Sequence, residues 1–380
     1  MASKTWILTE DYRYPWGDIG EWSGADDPEV SGDWFVRHRI LRGGLSDGVQ
    51  LVEVGNDRMR AFVVPTRGMG LWKVEVDDKL LGWQSPVLGP VHPAHVSIHD
   101  PSGLGWLDGF DEFVVRCGLE SNGAPEFDEH GKLTYPLHGK IGNRPAHRVD
   151  VTVDDTLGVV TVRGIVDETR FHFQKLRLEA SVSVPFDDAS VKISDHVENI
   201  GGLPAEMQML YHINVGEPLL SAGDEFIAPI RTIRHRDYPE AELPSDWNRY
   251  RSGAAGKSEE CFFMELCSDA SGQTRVLLKK PAGDCGVTVG YDVAKLPYFT
   301  LWKNEVSSQD GFVTGLEPGT NYPNCRSAEK AAGRIVTLPP GGKWSADLEI
   351  GYLADGASVE EAERGVASLA TLASDEMPDC

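Results

Sequence analysis

Lys175-Leu-Arg-Leu-Glu-Ala-Ser-Val-Ser-Val184 alternates without a break, setting Leu176, Leu178, Ala180, Val182 and Val184 against Lys175, Arg177, Glu179, Ser181 and Ser183. Successive side chains of an extended chain point to opposite faces, so this stretch is a strand with one apolar face and one wet face. The same period of two runs through Val149, Val151 and Val153, and again through Trp344, Ala346, Leu348 and Ile350. Further strands are expected at 49–54, 60–64, 71–76, 158–165, 190–198, 205–215, 275–280, 286–291 and 311–316. Turn signals such as Asp154-Asp155, Asp187-Asp188, Gly201-Gly202 and Gly341-Gly342 fall between them. Many strands separated by short turns mark an antiparallel sandwich or barrel.

Composition agrees. The 380 residues include 41 Gly, 23 Pro, 10 Trp and 10 Tyr, a mixture suited to tight turns between aromatic-bearing strands. Hydrophobic residues at 41% and charged residues at 25% exclude a disordered or fibrous chain. Helical chemistry is expected only at 358–372, with Ser358 as N-cap and Glu360, Glu361 and Glu363 near the positive end of the dipole. No repeat, linker or low-complexity run divides the chain. The expectation is one all-β domain over 1–380, with 1–45 as an irregular strap carrying Trp6, Trp16, Trp22 and Trp34, and 354–380 as a helical appendage.

Fifty-nine acidic residues against 36 basic ones give a net charge of −23, which repels polyphosphate and anionic membranes. Nucleic acid is therefore not an expected partner. The first residues lack a secretory signal's apolar core, and no stretch reaches the roughly 18 apolar residues that cross a bilayer. A cytoplasmic protein is the expectation. The six cysteines, Cys117, Cys261, Cys267, Cys285, Cys325 and Cys380, contain no CxxC pair. Reduced thiols are expected rather than a disulfide scaffold or a zinc site.

The chemistry concentrates in three places. The tract 84–146 is long and irregular, holds His92, His95, His99, His130 and His138, and mixes Asp108, Asp111, Glu112, Arg116, Glu120 and Asn122 with aromatics. Flat apolar faces beside polar tips suit the C–H surfaces and hydroxyls of a sugar. A solvated loop with aromatic anchors would read the same way. In 205–215, AEMQMLYHINV, one face carries Met207, Met209, Tyr211, Ile213 and Val215, the other Glu206, Gln208, Leu210, His212 and Asn214. That second face either meets water or lines a cleft. Glu317, followed by Pro318 and Gly319, reads as a carboxylate where the backbone leaves a sheet, placed for a base at a cleft rim. Upstream, Tyr298, Trp302 and Lys303 set an aromatic platform beside a donor.

Taken together, YPLHGKIGNRPA, LYHINVGEPLL, LPYFTLWKN and GLEPGTNYP resemble the galactose mutarotase-like superfamily, the aldose 1-epimerases. PTRGMGLWKVEV, QSPVLGPVHPAHV and RCGLESNGAP are similar to its DUF4432 branch, so the likeness spans about 45–353. The resemblance implies a large antiparallel β-supersandwich and a small-molecule sugar as partner, with no cofactor. Position by position it implies His138, His212 and Glu317 as catalytic residues. Glu317 would take the proton of the anomeric hydroxyl, His212 would protonate the ring oxygen, and His138 would help hold that oxygen.

The Asn-Arg-Ile segment of that family is absent, and the aligned tract reads Arg116-Cys117-Gly118-Leu119-Glu120-Ser121-Asn122. Sugar binding is accordingly expected from Arg67, Arg116, Glu120, Asn122, Trp302 and Lys303. Two other readings stand beside this one. An isomerase or lyase acting on an oxidised sugar would use His92, His95 and His99 to hold a divalent metal. A non-catalytic carbohydrate-binding module would need only the aromatics and arginines. The sequence carries no signal of oligomeric state.

Overall fold

The computed structural model describes residues 3–10, 20–27 and 29–375, with side chains to residue 370; Trp16 and Cys380 lie outside the described residues. Two antiparallel sheets face each other. The nine-stranded sheet runs Ser3–Glu10, Arg148–Asp154, Val159–Thr169, Lys175–Pro185, Ser190–Asn199, Lys343–Leu353, Gly286–Asp292, Gln273–Lys279, Glu225–Ile227. The thirteen-stranded sheet runs Ile230–His235, Glu260–Leu266, Tyr298–Asn304, Val313–Gly319, Ala205–Gly216, Val114–Leu119, Gly70–Val76, Met59–Val64, Gln50–Gly55, Phe35–Ile40, Glu21–Ser23, with Val336–Leu338 and Lys79–Leu81 as side branches. This is the expected all-β supersandwich.

The alternating strand Lys175–Pro185 does what its pattern dictates: every second residue is buried and the others are half-exposed. Its apolar face joins Val151, Val162, Ile193 and Leu348 of its own sheet and Met207, Tyr211, Ile213, Leu316 and Phe299 of the other in one hydrophobic cluster. At about 25 cal/mol per Å² of apolar surface removed from water, this layer between the sheets is the main cohesive force of the fold.

Three expectations are corrected. The described part of the N-terminal strap contributes strands to both sheets: Ser3–Glu10 adds to the edge of the smaller sheet, while Glu21–Ser23 and Phe35–Ile40 add to the larger one. Trp6, 6.0 Å from Trp22 and 5.9 Å from Trp34 between ring centroids, packs the two edges together. The C-terminal helix, Gly356–Asp375, is capped by Asp355 and not by Ser358, since Asp355 Oδ1 accepts the Ser358 N–H at 2.9 Å. The appendage packs on the smaller sheet, burying Val359, Ala362 and Val366, the last two against Leu277. Thirdly, Glu317 does not stand where the backbone leaves the sheet, because Val313–Gly319 continues past it and Glu317 pairs with Thr300 of the neighbouring strand. Pro318 interrupts only the ladder to Ala205–Gly216, whose pairs Leu210–Gly319 and Ile213–Leu316 flank the missing N–H.

Candidate active site

On Ala205–Gly216 the expected apolar set faces the core between the sheets, and the other face points outward from the larger sheet. That outward face is not wet: Leu210, His212 and Asn214 are all buried. The tract 84–146 covers it, lined with short turns such as Gly105–Gly109 and contributing the central strand Val114–Leu119. Between sheet and cover lies a cleft of about 560 Å³. Trp83, Leu104, Trp106, Leu107, Phe110 and Leu137 give it an apolar wall, and His138, His212, Arg236, Glu259, Thr300, Trp302, Asn304, Asp310 and Glu317 give it polar groups.

His212 and Glu317 are cross-strand neighbours, since the register that pairs Leu210 with Gly319 and Ile213 with Leu316 sets them opposite one another. His212 Nε2 lies 3.2 Å from Glu317 Oε1. Both side chains are buried, and Oε1 makes no hydrogen bond within the protein. Gly315 makes their meeting possible: a Cβ there would overlap Glu317 Oε1 and press on His212 Cε1 at 3.1 Å.

His138 reaches the same place from the cover. Its ring centroid is 5.2 Å from that of His212 and 4.6 Å from that of Trp106. Its backbone is left-handed at φ 55°, a conformation uncommon for a residue with a side chain and held here by the bonds from His138 N–H to Gly123 O (2.9 Å) and from Gly118 N–H to His138 O (3.2 Å). Asn122 O lies 3.1 Å from Nδ1. A carbonyl only accepts, so Nδ1 carries the hydrogen and Nε2 is left with a lone pair.

Burial sets the protonation of all three groups. It pushes Glu317 well above the ordinary carboxylate range, and nearby Glu259 pushes the same way while Arg236 opposes. It pushes His212 well below the ordinary imidazole value, helped by His138 and opposed by the bond to Asn214. It lowers His138 to about 4 against the bond to Asn122. At neutral pH both imidazoles are uncharged, and burial biases Glu317 toward its protonated form.

Of the six residues expected to bind sugar, Trp302 alone lines the cleft; its indole N–H donates to Glu259 Oε2 at 2.7 Å. Arg67 is buried on Glu112, Val91 O, Gly109 O and Asn143. Arg116 points into the core between the sheets, where it binds both oxygens of Asp195 at 2.6 and 2.9 Å. Glu120 pairs with Lys140 at 2.8 Å. Asn122 exchanges amide hydrogen bonds with Asn321 and serves the site only through its backbone carbonyl. Lys303 lies on the core side of its strand, held by Trp247 O, Arg249 O and Glu305. Alternation explains the last case: Thr300, Trp302 and Asn304 face the cleft, so Lys303 cannot.

The polar wall that sequence reasoning missed comes from Arg236, Glu259 and Cys261, with Arg236 Nη1 donating to Glu259 Oε1 at 2.9 Å and lying 3.2 Å from Cys261 Sγ. Their signal was the apolar run Cys261-Phe-Phe-Met264, a strand buried on both faces and therefore without alternation. His92 is spent on a turn, its Nδ1 accepting the Ala94 N–H at 3.1 Å. Among the described residues no group of three His, Cys, Asp or Glu side chains is disposed to hold a metal ion. Of the six cysteines, Cys117, Cys261, Cys267, Cys285 and Cys325 are free thiols. No described helix is long and apolar enough to cross a membrane.

Comparison with known proteins places this geometry in context. Residues 46–352 match the model of the domain of unknown function DUF4432. The crystal structure of a "putative aldose 1-epimerase" from Klebsiella pneumoniae subsp. pneumoniae MGH 78578 is similar over 97% of this chain and 96% of that one, at 33% identity and a TM-score of 0.91. A galactose mutarotase-like protein from Clostridium acetobutylicum shares 14% identity and a TM-score of 0.59 over 85% of this chain and 99% of its own. Galactose 1-epimerase from Lactobacillus acidophilus NCFM shares 13% and 0.54 over 83% and 98%. These last two carry the fold alone. No curated protein matches the chain.

Proposed function

The chain belongs to the DUF4432 family, and from that membership and the cleft we propose that it is an aldose 1-epimerase-like isomerase, interconverting the anomers of a small sugar by acid/base ring opening. The observation that carries this reading is the meeting of His138, His212 and Glu317, distant in sequence, in one cleft with a buried carboxyl oxygen that no protein group satisfies. A buried polar atom without a partner costs about 1–3 kcal/mol, and a sugar hydroxyl would relieve it.

Ring opening needs one group to take the proton of the anomeric hydroxyl and another to give one to the ring oxygen. The C1–O5 bond breaks as the C1–O1 double bond forms, and the pair ends with as many protons as it began with. Glu317 and His212 carry one exchangeable proton between them. Held on Glu317 it makes the carboxyl the acid and His212 Nε2 the base; moved to Nε2 it gives the carboxylate base and imidazolium acid expected from the sequence. The apolar walls favour the uncharged form at rest, and the dipoles of a bound sugar favour the second. His138, with its Nε2 lone pair exposed to the cleft, accepts a hydrogen bond from a substrate hydroxyl. Trp106, Phe110 and Trp302 offer faces for the sugar's C–H surface, and Arg236, Glu259, Asn304 and Asp310 bind its other hydroxyls.

A panel of aldoses followed by exchange NMR between anomers tests this. Glu317→Gln preserves shape but cannot pass the proton, so it should fold and bind sugar while turnover falls about 10²–10⁴-fold. Equal rates for wild type and Glu317→Gln on every sugar would refute the mechanism and favour a binding module.

A further inference from the structure

His212 is gripped by a side chain two residues along its own strand. Asn214 Oδ1 lies 2.6 Å from His212 Nδ1, while Asn214 Nδ2 lies 2.9 Å from Glu112 O and 3.2 Å from His212 O. Both carbonyl oxygens only accept, so the amide nitrogen must face them and the amide oxygen must face the ring. That oxygen in turn only accepts, which requires the hydrogen of His212 to sit on Nδ1. Turning the amide over would set its oxygen against two carbonyl oxygens in a site from which water is excluded, since Asn214 is fully buried.

We propose that Asn214 is a positioning residue that locks His212 in the tautomer with hydrogen on Nδ1, leaving Nε2 as the one atom that exchanges a proton with Glu317 and the substrate. The inference rests on reading His212 and Glu317 as the acid/base pair, and it adds what makes the pair directional. His138 has the same arrangement through the Asn122 carbonyl, which no side-chain substitution removes. At His212 the device is a side chain and can be deleted.

The test is a long-range proton–nitrogen NMR spectrum of protein labelled with ¹⁵N-histidine near pH 8, the His212 signals being those absent from His212→Gln. Wild type should show hydrogen on Nδ1 and a bare Nε2. Asn214→Leu removes the acceptor and should move the hydrogen to Nε2, with kcat down about 10- to 100-fold and KM little changed. Asn214→Asp sets its second oxygen against the Glu112 and His212 carbonyls and should lose stability, but it keeps an acceptor for the ring and should keep the Nδ1 hydrogen. Hydrogen on Nε2 in wild type, or an unchanged tautomer in Asn214→Leu, would overturn the inference. Should Asn214→Leu fail to fold by circular dichroism, the wild-type spectrum decides. The tautomer is read without substrate, so a protein inactive on every sugar would sink the epimerase reading and leave this result standing.

Discussion

The strands Lys175–Pro185 and Ala205–Gly216 begin from similar sequence patterns and end in opposite environments. Both alternate apolar with polar residues. On the first, Arg177, Glu179, Ser181 and Ser183 look outward at solvent. On the second, the outward side chains lie under the 84–146 cover, and desolvation turns each polar group into something that must be matched. Asn214 is matched by two carbonyls and an imidazole; Glu317 on the facing strand is left incompletely matched at the cleft. Alternation shows which residues share a face. What covers that face decides whether they are ornament or site.

The sharpest way to probe the difference is to compare charges by environment. Arg116 and Asp195 cross the core between the sheets with both side chains buried. Arg116→Met should cost about 3–5 kcal/mol in denaturant unfolding, because it strands a buried carboxylate. Arg116→Met with Asp195→Leu should recover much of that loss. A single replacement costing under about 1 kcal/mol would show that the charges there are solvated.

Gly315→Ala comes next. The new Cβ meets the mobile end of Glu317 rather than backbone, so the fold should persist while the carboxyl is pushed from His212. A displacement near 1 Å costs about 10²-fold in rate, readable as a fall in kcat at unchanged melting temperature. Full activity would mean that the Glu317–His212 contact is not needed.

How much of this was legible in the sequence follows from the same physics. Residues 175–184 and their like disclosed the sheets because one of their faces is wet, which leaves a period of two. Glu260–Leu266 and Val114–Leu119 are buried on nearly every residue, so their side chains carry no alternation and both were missed. His212 and Glu317 stood out in their own segments, and the resemblance added His138 and the roles of all three; their convergence is a matter of register and of a cover whose His138 lies 74 residues along the chain from His212, which spacing cannot reveal. Arg67, Arg116 and Lys303 looked like sugar-binding cations because charge in a sequence says nothing of its partner, and each proved to be bound to buried acceptors.

A smaller effect separates the two environments by pH. His138 is held at about 4 in the folded protein against an ordinary value near 6.5. The unfolded chain therefore binds more protons between those values, and stability contributed by the neutral His138 is present above about 6.5 and lost as pH falls toward 4. Glu317, raised when folded, works the other way, its contribution being present below the ordinary carboxylate value and lost as pH rises. The denaturant midpoint of wild type should thus fall more steeply from pH 6.5 to 4 than that of His138→Gln. Parallel curves would mean that the His138 ring is solvated and titrates as it does in the unfolded chain.

The smallest effect is expected on the wet face. Arg177 binds both oxygens of Asp167 at 2.8 and 2.9 Å, a geometry as good as that of Arg116 on Asp195. The two pairs differ in exposure: 38% and 25% for the side chains of Arg177 and Asp167, against 1% and 0% for Arg116 and Asp195. Solvent screens the first pair and rehydrates Asp167 once its partner is gone, so Arg177→Thr, which keeps a strand-forming residue, should cost no more than about 1 kcal/mol and less in high salt. The carboxylate geometry being equal, the difference between this loss and that of Arg116→Met, which also gives up the bond to Met69 O, reports chiefly the cost of burial. Equal losses would make hydrogen-bond geometry, not burial, the quantity that distinguishes the two faces, and the explanation given for the cleft would fail with it.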